Sequence, residues 1–524
     1  MPQCQALLRR DDDAPEVGCV GENLAGLVRA AARARPGRPA LLFRSERITW
    51  ADIDARVDRA AAALLGLGLH PGDRVAVQLG NTPHFAVAYF GTLRAGLVSV
   101  PLNTGYTGRE LQHALADSGA RALITSDTGA ALAGAAKDTL PDLEHVIIAE
   151  GGRPGDALPH FDDLLAAVPG TSVRDVGGGE DLAVLIYTSG TSGVPKGAML
   201  SHRALLANLD QVSRIEPPVL GRDDVLLLVL PLFHVYGLNP GLGMLAYHGA
   251  AGLLVERFDP HDTLALVARH QVTCVLGAPP MYVAWSKLPE LSDGLASVRF
   301  ALSGSAPLPA EALRQIAEGT GLTVFEGYGL TETAPVLIST LMSDVPKPDS
   351  IGRPIPDVDI KLVDEQGDEV DEDDHGEIMV RGPNLFSGYW PDGAGGPGAD
   401  GWWPTGDIAF ADEGGDLHLV DRRTELILVS GFNVYPREVE IVLLAHPEVA
   451  EVAVIAVPDA MTGEAVKAVV VLRSGAALTP EAVITHCEKS LARFKCPSVV
   501  EFATDLPHTI IGKVRKGQLR STAV

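Results

Sequence analysis

Cysteine is scarce in this chain of 524 residues: Cys4, Cys19, Cys274, Cys487 and Cys496 form an odd, scattered set. They lack metal-ligand spacing, which argues against a disulfide framework or a zinc site and fits a reducing cytoplasm. Positive charge is also short, with 42 Lys and Arg against 67 Asp and Glu, a net charge of −25. Such a balance excludes a basic surface built to neutralise nucleic-acid phosphates. Any anionic ligand must then be met by cations placed locally. At the start, Arg9 and Arg10 run directly into Asp11 to Asp13 without the apolar stretch of a secretory signal. The segment from Leu226 to Val255 lacks Asp, Glu, Lys and Arg, but it contains Pro231, Pro240 and five glycines. These would break a lipid-exposed helix, so the expectation is a buried strand, loop and helix and no transmembrane segment. Internal repeats, coiled-coil heptads and long low-complexity tracts are absent.

What is present is enough apolar material for several cores, since 46% of the residues are hydrophobic and single cores stop growing at about 250–300 residues. Short apolar runs alternate with helical patterns through the first 330 residues or so, the mark of parallel sheets covered by helices. Strands are expected at Arg74 to Gln78, Ala122 to Thr125, Ala183 to Tyr187, Cys274 to Gly277 and Thr323 to Glu326, with a helix from Pro309 to Ala317 ended by Gly319. Near residue 350 the texture changes to short strands such as Asp359 to Val363 and Glu377 to Val380, and Pro391 to Gly401 reads as an exposed flexible loop. From Glu425 an α+β unit is expected, with helices Pro436 to Ala445 and Pro480 to Arg493 and strands Val452 to Val457 and Val466 to Leu472. The predicted class is α/β and α+β. The layout is a disordered N-terminus over 1–20, a large unit over 21–421 with a barrel-like part near 350–421, and a small mobile unit over 422–524.

The strongest chemical signal is Tyr187-Thr188-Ser189-Gly190-Thr191-Ser192-Gly193-Val194-Pro195-Lys196-Gly197, directly after a buried strand. Small hydroxyl residues and glycines let backbone N–H groups close around phosphate oxygens, and Lys196 adds a mobile cation. It is not a Walker A loop, because Lys196 stands between Pro195 and Gly197 and lacks the Gly-Lys-Ser/Thr order. Four further segments follow: Gly327-Tyr328-Gly329-Leu330-Thr331-Glu332-Thr333, at a strand end where open α/β sheets bind ligands; Thr405-Gly406-Asp407; Asp421-Arg422-Arg423-Thr424-Glu425 followed by Gly431-Phe432; and Gly512-Lys513-Val514-Arg515-Lys516.

In this order the five segments resemble the adenylate-forming superfamily of acyl-CoA synthetases, nonribosomal peptide synthetase adenylation domains and firefly luciferase, over about residues 25 to 520. The likeness is greatest to bacterial fatty-acid or aryl acyl-CoA synthetases. The resemblance implies ATP, magnesium and coenzyme A as cofactors and a small carboxylic acid as substrate. It implies that Tyr328 stacks on adenine, Thr331 contacts phosphate, Glu332 holds magnesium, and Asp407 and Arg422 bind ribose or phosphate. Ser303 to Pro307, including Gly304, Ser305 and Ala306, resembles the turn beneath adenine. Gly431 and Phe432 would edge the pantetheine tunnel, Thr424 would be the hinge, and Lys513 would bridge carboxylate and α-phosphate. His234, Tyr236, Gly277, Met281 and Gly327 would line the acyl pocket. Dicarboxylate-specific relatives carry Arg where Gly327 stands, so an apolar acid is expected. Two departures are visible: Thr424 replaces the usual Asp or Lys, and Ile510-Ile511 replaces Pro-Thr. Alternatives are an acyl-AMP ligase serving a carrier protein, or an adenylate-binding protein that completes one half-reaction. A homodimer is compatible with all three.

Overall fold

Runs of Val, Leu and Ile form central strands where helices cover both faces of a sheet. The computed structural model describes residues 22–135, 137–151, 158–170, 172–188, 195–347, 349–371, 374–422, 425–429, 432–459, 463–509 and 514–521. A six-stranded sheet is ordered His145–Glu150, Ala122–Ser126, Arg74–Gln78, Val98–Pro101, Leu182–Thr188 and Lys196–Ser201. Only its last pair is antiparallel. A nine-stranded sheet runs from Arg353–Pro354 through Val336–Ser339, Val324–Gly329, Phe300–Ser303, Cys274–Gly277, Val225–Leu228, Ala251–Leu254 and Pro39–Phe43 to Glu46–Thr49. Its interior is parallel and its edges antiparallel.

Strands Asp359–Val363, Gly376–Arg381, Trp403–Ala411 and Leu417–Arg422 form a third, wholly antiparallel sheet. In the region expected to be barrel-like, the two end strands do not pair with each other among the described residues. A fourth sheet joins Phe432–Val434, Ile427–Val429, Gly463–Leu472, Val449–Asp459 and Val499–Ala503. Helices Pro436–Leu444 and Pro480–Glu488 pack on it, giving a core of Ile427, Val439, Leu443, Val454, Val466, Val483 and Cys487 apart from that of the two large sheets.

The chain around Leu226 to Val255 is buried as a strand, two short helical segments and a strand. Among the described residues no helix is long and apolar enough to cross a membrane. Several expected boundaries shift. The helix after Pro309 spans Ala310–Thr320 and passes through Gly319, and Gly321, with φ of 74°, supplies the left-handed end instead. The helix from Pro480 stops at Glu488, because Ala492 is already extended. Residues Pro391 to Gly401 are not a loose loop: Gly393 donates to the Tyr389 carbonyl, Gly398 to Trp402, and the Trp403 indole to Gly395. Residues 1–21 lie outside the described residues.

Two helices frame the antiparallel hairpin of the six-stranded sheet. Gly108–Ser118 begins with a capping box, in which Thr107 Oγ1 accepts from the Glu110 N–H and Glu110 accepts from the Thr107 N–H. It ends on left-handed Gly119. His202–Ser213 starts where Ser201 accepts from the Ala204 N–H. His202 is 2% exposed and its Nδ1 accepts the Leu24 N–H at 3.1 Å. Burial pushes its pKa from 6.5 down to about 4. The unfolded chain therefore takes up this proton first, so the stability is complete above pH 6.5 and is lost as pH falls toward 4. At pH 5 the loss is about 2 kcal/mol. The urea midpoint is expected to fall between pH 7 and pH 5, and His202→Asn, which keeps an acceptor without the titration, should flatten that fall; an unchanged slope would refute the assignment.

Candidate active site

Strand Val324–Gly329 carries the Gly-Tyr-Gly motif inside the sheet rather than after it. Gly327 and Tyr328 pair with Ser339 and Ile338 on the antiparallel neighbour. A Cβ on Gly329 would fall 1.7 Å from the Pro335 carbonyl oxygen, so this approach is open only to glycine. The chain then makes one tight turn, Thr331–Thr333, in which Thr333 Oγ1 accepts from the Leu330 N–H and donates to the Pro335 carbonyl. This turn presents Thr331 and buries Glu332.

The Tyr328 hydroxyl donates to Asp407 Oδ2 at 2.6 Å. Asp407 is 5% exposed, sits on Trp403–Ala411 and lies directly across from Arg422 in the neighbouring strand. Gly406, with φ of 77°, and Thr405, whose Oγ1 accepts the Asp407 N–H, form the irregular stretch of this strand from which the carboxylate projects, where the register with Gly376–Arg381 shifts. Three segments separated in sequence thus converge. The Arg422 side chain, Thr424, Gly431, the Phe432 side chain and Lys513 lie outside the described residues.

The segment expected to bind phosphate is framed at both ends. Thr188 pairs across the hairpin with Lys196, so Ser189, Gly190, Thr191, Ser192 and Gly193, which lie outside the described residues, are bracketed by adjacent strands. Segment Ser387 to Trp390 pairs with the outgoing strand: Ser387 donates to the Met199 carbonyl, Met199 to Gly388 and Trp390 to Gly197. Tyr389 is carried into the site by this pairing. Its hydroxyl donates to Glu332 Oε1 at 2.7 Å, and the Lys196 ammonium stands 5.4 Å from its ring centroid. Burial, then the Glu332 charge and hydrogen bond, raise the Tyr389 pKa, so the phenol stays a donor. Sequence reasoning missed Tyr389, because only long-range pairing brings it to Glu332.

Gly304 donates to the Gly277 carbonyl at 3.2 Å, and Ser305 takes a left-handed φ of 76°, leading into Ala306. The spaces beside the two glycines are filled by aromatic rings: a Cβ at Gly304 would meet the Tyr236 ring at 3.0 Å, and one at Gly277 the Tyr282 ring at 2.7 Å. Gly277 is therefore covered on its Cβ side by Tyr282. Met281 is buried, and His234 Nδ1 accepts the Tyr236 N–H at 3.3 Å while burial lowers the His234 pKa to about 4, keeping it neutral. At Gly327 a Cβ would make only ordinary contact, 3.5 Å from Leu302. Two surface hollows, of about 650 and 460 Å³, lie elsewhere and include none of these groups. The motif geometry, not hollow size, locates the site.

Residues 28–390 match the family profile of AMP-binding enzymes, and residues 438–513 that of the AMP-binding enzyme C-terminal domain. The chain belongs to the AMP-binding enzyme family. Within it, the chain is 38% identical to a long-chain-fatty-acid–CoA ligase of Salmonella typhimurium, covering 96% of this chain and 95% of the relative. It is 37% identical to a feruloyl-CoA synthase of Amycolatopsis sp, covering 93% and 96%. ATP-bound MatB from Rhodopseudomonas palustris superposes with a TM-score of 0.87 at 34% identity, covering 96% of this chain and 99% of MatB.

Removing one hydrogen bond to an ionised carboxylate costs about 1.5–3 kcal/mol. Tyr389→Phe keeps the ring beneath Lys196 but strips the donor from Glu332. ATP–pyrophosphate exchange should fall about tenfold at fixed magnesium, while the variant still unfolds cooperatively; unchanged exchange would remove Tyr389 from the site.

Proposed function

We propose that the acid activated by this enzyme is apolar, fatty or aryl. The enzyme is an ATP-dependent acyl-CoA synthetase, an acid–thiol ligase that forms acyl-AMP and pyrophosphate and then exchanges AMP for coenzyme A. The observation that carries the reading is the junction of Tyr328, Asp407 and the Arg422 strand position, together with Tyr389, which joins Glu332 to Lys196 at the end of the hairpin. A nucleotide laid there would have an aromatic face, a buried carboxylate for ribose hydroxyls and a cation-bearing hairpin for its phosphates.

A carboxylate and a triphosphate repel each other, and this repulsion dominates the first step. The proposed answer is electrostatic: the Thr188 to Lys196 nest and Lys513 stand where charge develops as pyrophosphate leaves. Tyr328, Thr331, Asp407 and Arg422 fix the nucleotide, so much of the barrier is met by positioning. The donors present suit magnesium, because Glu332 is a buried carboxylate with one oxygen held by Tyr389. When bound to Glu332, that ion would neutralise phosphate charge. Burial raises the Cys274 and Cys487 thiols to about 12, so they stay protonated and no protein nucleophile is invoked. Thr424 is the proposed hinge for residues 422–524, and Gly431 and Phe432 the proposed edge of the pantetheine path. A reducing cytoplasm is the proposed location.

Support for an apolar acid comes from the space beside Gly327, where the atoms nearest to a side chain would be those of Leu302 and the Ile338 carbonyl. Octanoate or benzoate should therefore be turned over faster than malonate in a coenzyme A consumption assay, and the reverse order would overturn the substrate class. Lys513→Ala should slow adenylate formation about 10²–10³-fold and leave thioester formation from supplied acyl adenylate largely intact. If both half-reactions fall equally, Lys513 does not have the proposed role.

A further inference from the structure

The geometry points to Asp117 and Tyr187 as positioning residues for the phosphate-binding part of the site, acting from the C-terminal end of helix Gly108–Ser118. This rests on the reading that the Thr188 to Lys196 hairpin holds ATP phosphates. The Tyr187 hydroxyl, one residue before the loop, donates to Asp117 Oδ2 at 2.6 Å. The backbone carbonyl of the same Asp117 accepts the Trp390 indole N–H at 2.9 Å, and Trp390 directly follows Tyr389, the residue that holds Glu332. One turn earlier, His113 Nε2 lies 3.4 Å from the Pro195 carbonyl at the loop exit, with its ring edge-on to Tyr187.

One helix end therefore touches the entry to the phosphate loop, its exit, and the segment that sets the Glu332 carboxylate. That end is itself fixed: Arg74 Nε donates to the Ser118 carbonyl at 2.7 Å and Nη2 to Gly119 at 2.9 Å, with the guanidinium 5.4 Å from the Trp390 ring centroid. Burial, followed by the hydrogen bond and charge of Asp117, raises the Tyr187 pKa and keeps its hydroxyl protonated to donate. Neither residue needs to touch substrate. Their side-chain bond fixes where the loop begins, and the Asp117 backbone carbonyl anchors Trp390 beside Tyr389.

Tyr187→Phe and Asp117→Ala are expected to raise KM for ATP about 5- to 20-fold in pyrophosphate exchange, the effect of one charge-assisted hydrogen bond discounted for solvent. Thioester formation from supplied acyl adenylate should stay within about twofold, because that step uses no triphosphate. Asp117→Asn, which retains an acceptor, should recover most of the loss. An unchanged KM for ATP in Tyr187→Phe, or an equal fall in both half-reactions, would overturn the assignment; should Asp117→Ala fail to fold, Tyr187→Phe and Asp117→Asn decide it. Wild-type enzyme without any pyrophosphate exchange would instead refute the synthetase reading itself, a result distinct from an active wild type with indifferent variants.

Discussion

The hydrogen bond from Tyr328 to Asp407 joins the nine-stranded sheet to the antiparallel sheet that leads toward the C-terminal unit. Each partner is placed by a different kind of constraint. Tyr328 is aimed by strand pairing with Val336–Ser339, and Asp407 by a glycine irregularity in its own strand with a threonine bond behind it. A nucleotide recognised by both groups would sense the relative position of the two sheets. The small C-terminal sheet begins only a few residues beyond Arg422, so its attachment is set at the same place.

Charge explains the rest of the arrangement. With a net charge of −25, long-range attraction for ATP or an acid is unfavourable, and recognition must depend on short-range groups. Lys196 stands at the end of the hairpin strand, 5.4 Å from the Tyr389 ring centroid, while two buried or part-buried carboxylates are each engaged: Asp407 with Tyr328, and Glu332 with Tyr389. Buried carboxylates held this way keep fixed orientations, which is what coordination and ribose recognition both require.

Much of the strand layout is legible in the sequence, and the physical reason is locality. The phosphate hairpin, the Gly-Tyr-Gly strand and the Thr-Gly-Asp tripeptide are short segments whose glycines and hydroxyls state their own backbone requirements. Strands Arg74–Gln78, Cys274–Gly277 and Asp359–Val363 came out at their expected limits because turn residues bound them closely. Gly319 misled as a helix stop because helix interiors tolerate glycine, and Gly321 took the left-handed position. Tyr389, Trp390 and Asp117 were illegible for the opposite reason. Their importance comes from contacts spanning 57 to 273 residues, and nothing in their immediate neighbours marks them. The aromatic roofs over Gly277 and Gly304 were hidden in the same way.

The crowding at Gly329 has a bearing on evolution. With the Pro335 oxygen 1.7 Å from where a methyl would sit, no change of residue at this position can be accommodated without displacing the turn that presents Glu332. Duplicated copies free to acquire new substrates can vary their pocket walls, but this position is closed to them. A descendant that has lost its glycine there must have rebuilt the turn that carries Glu332.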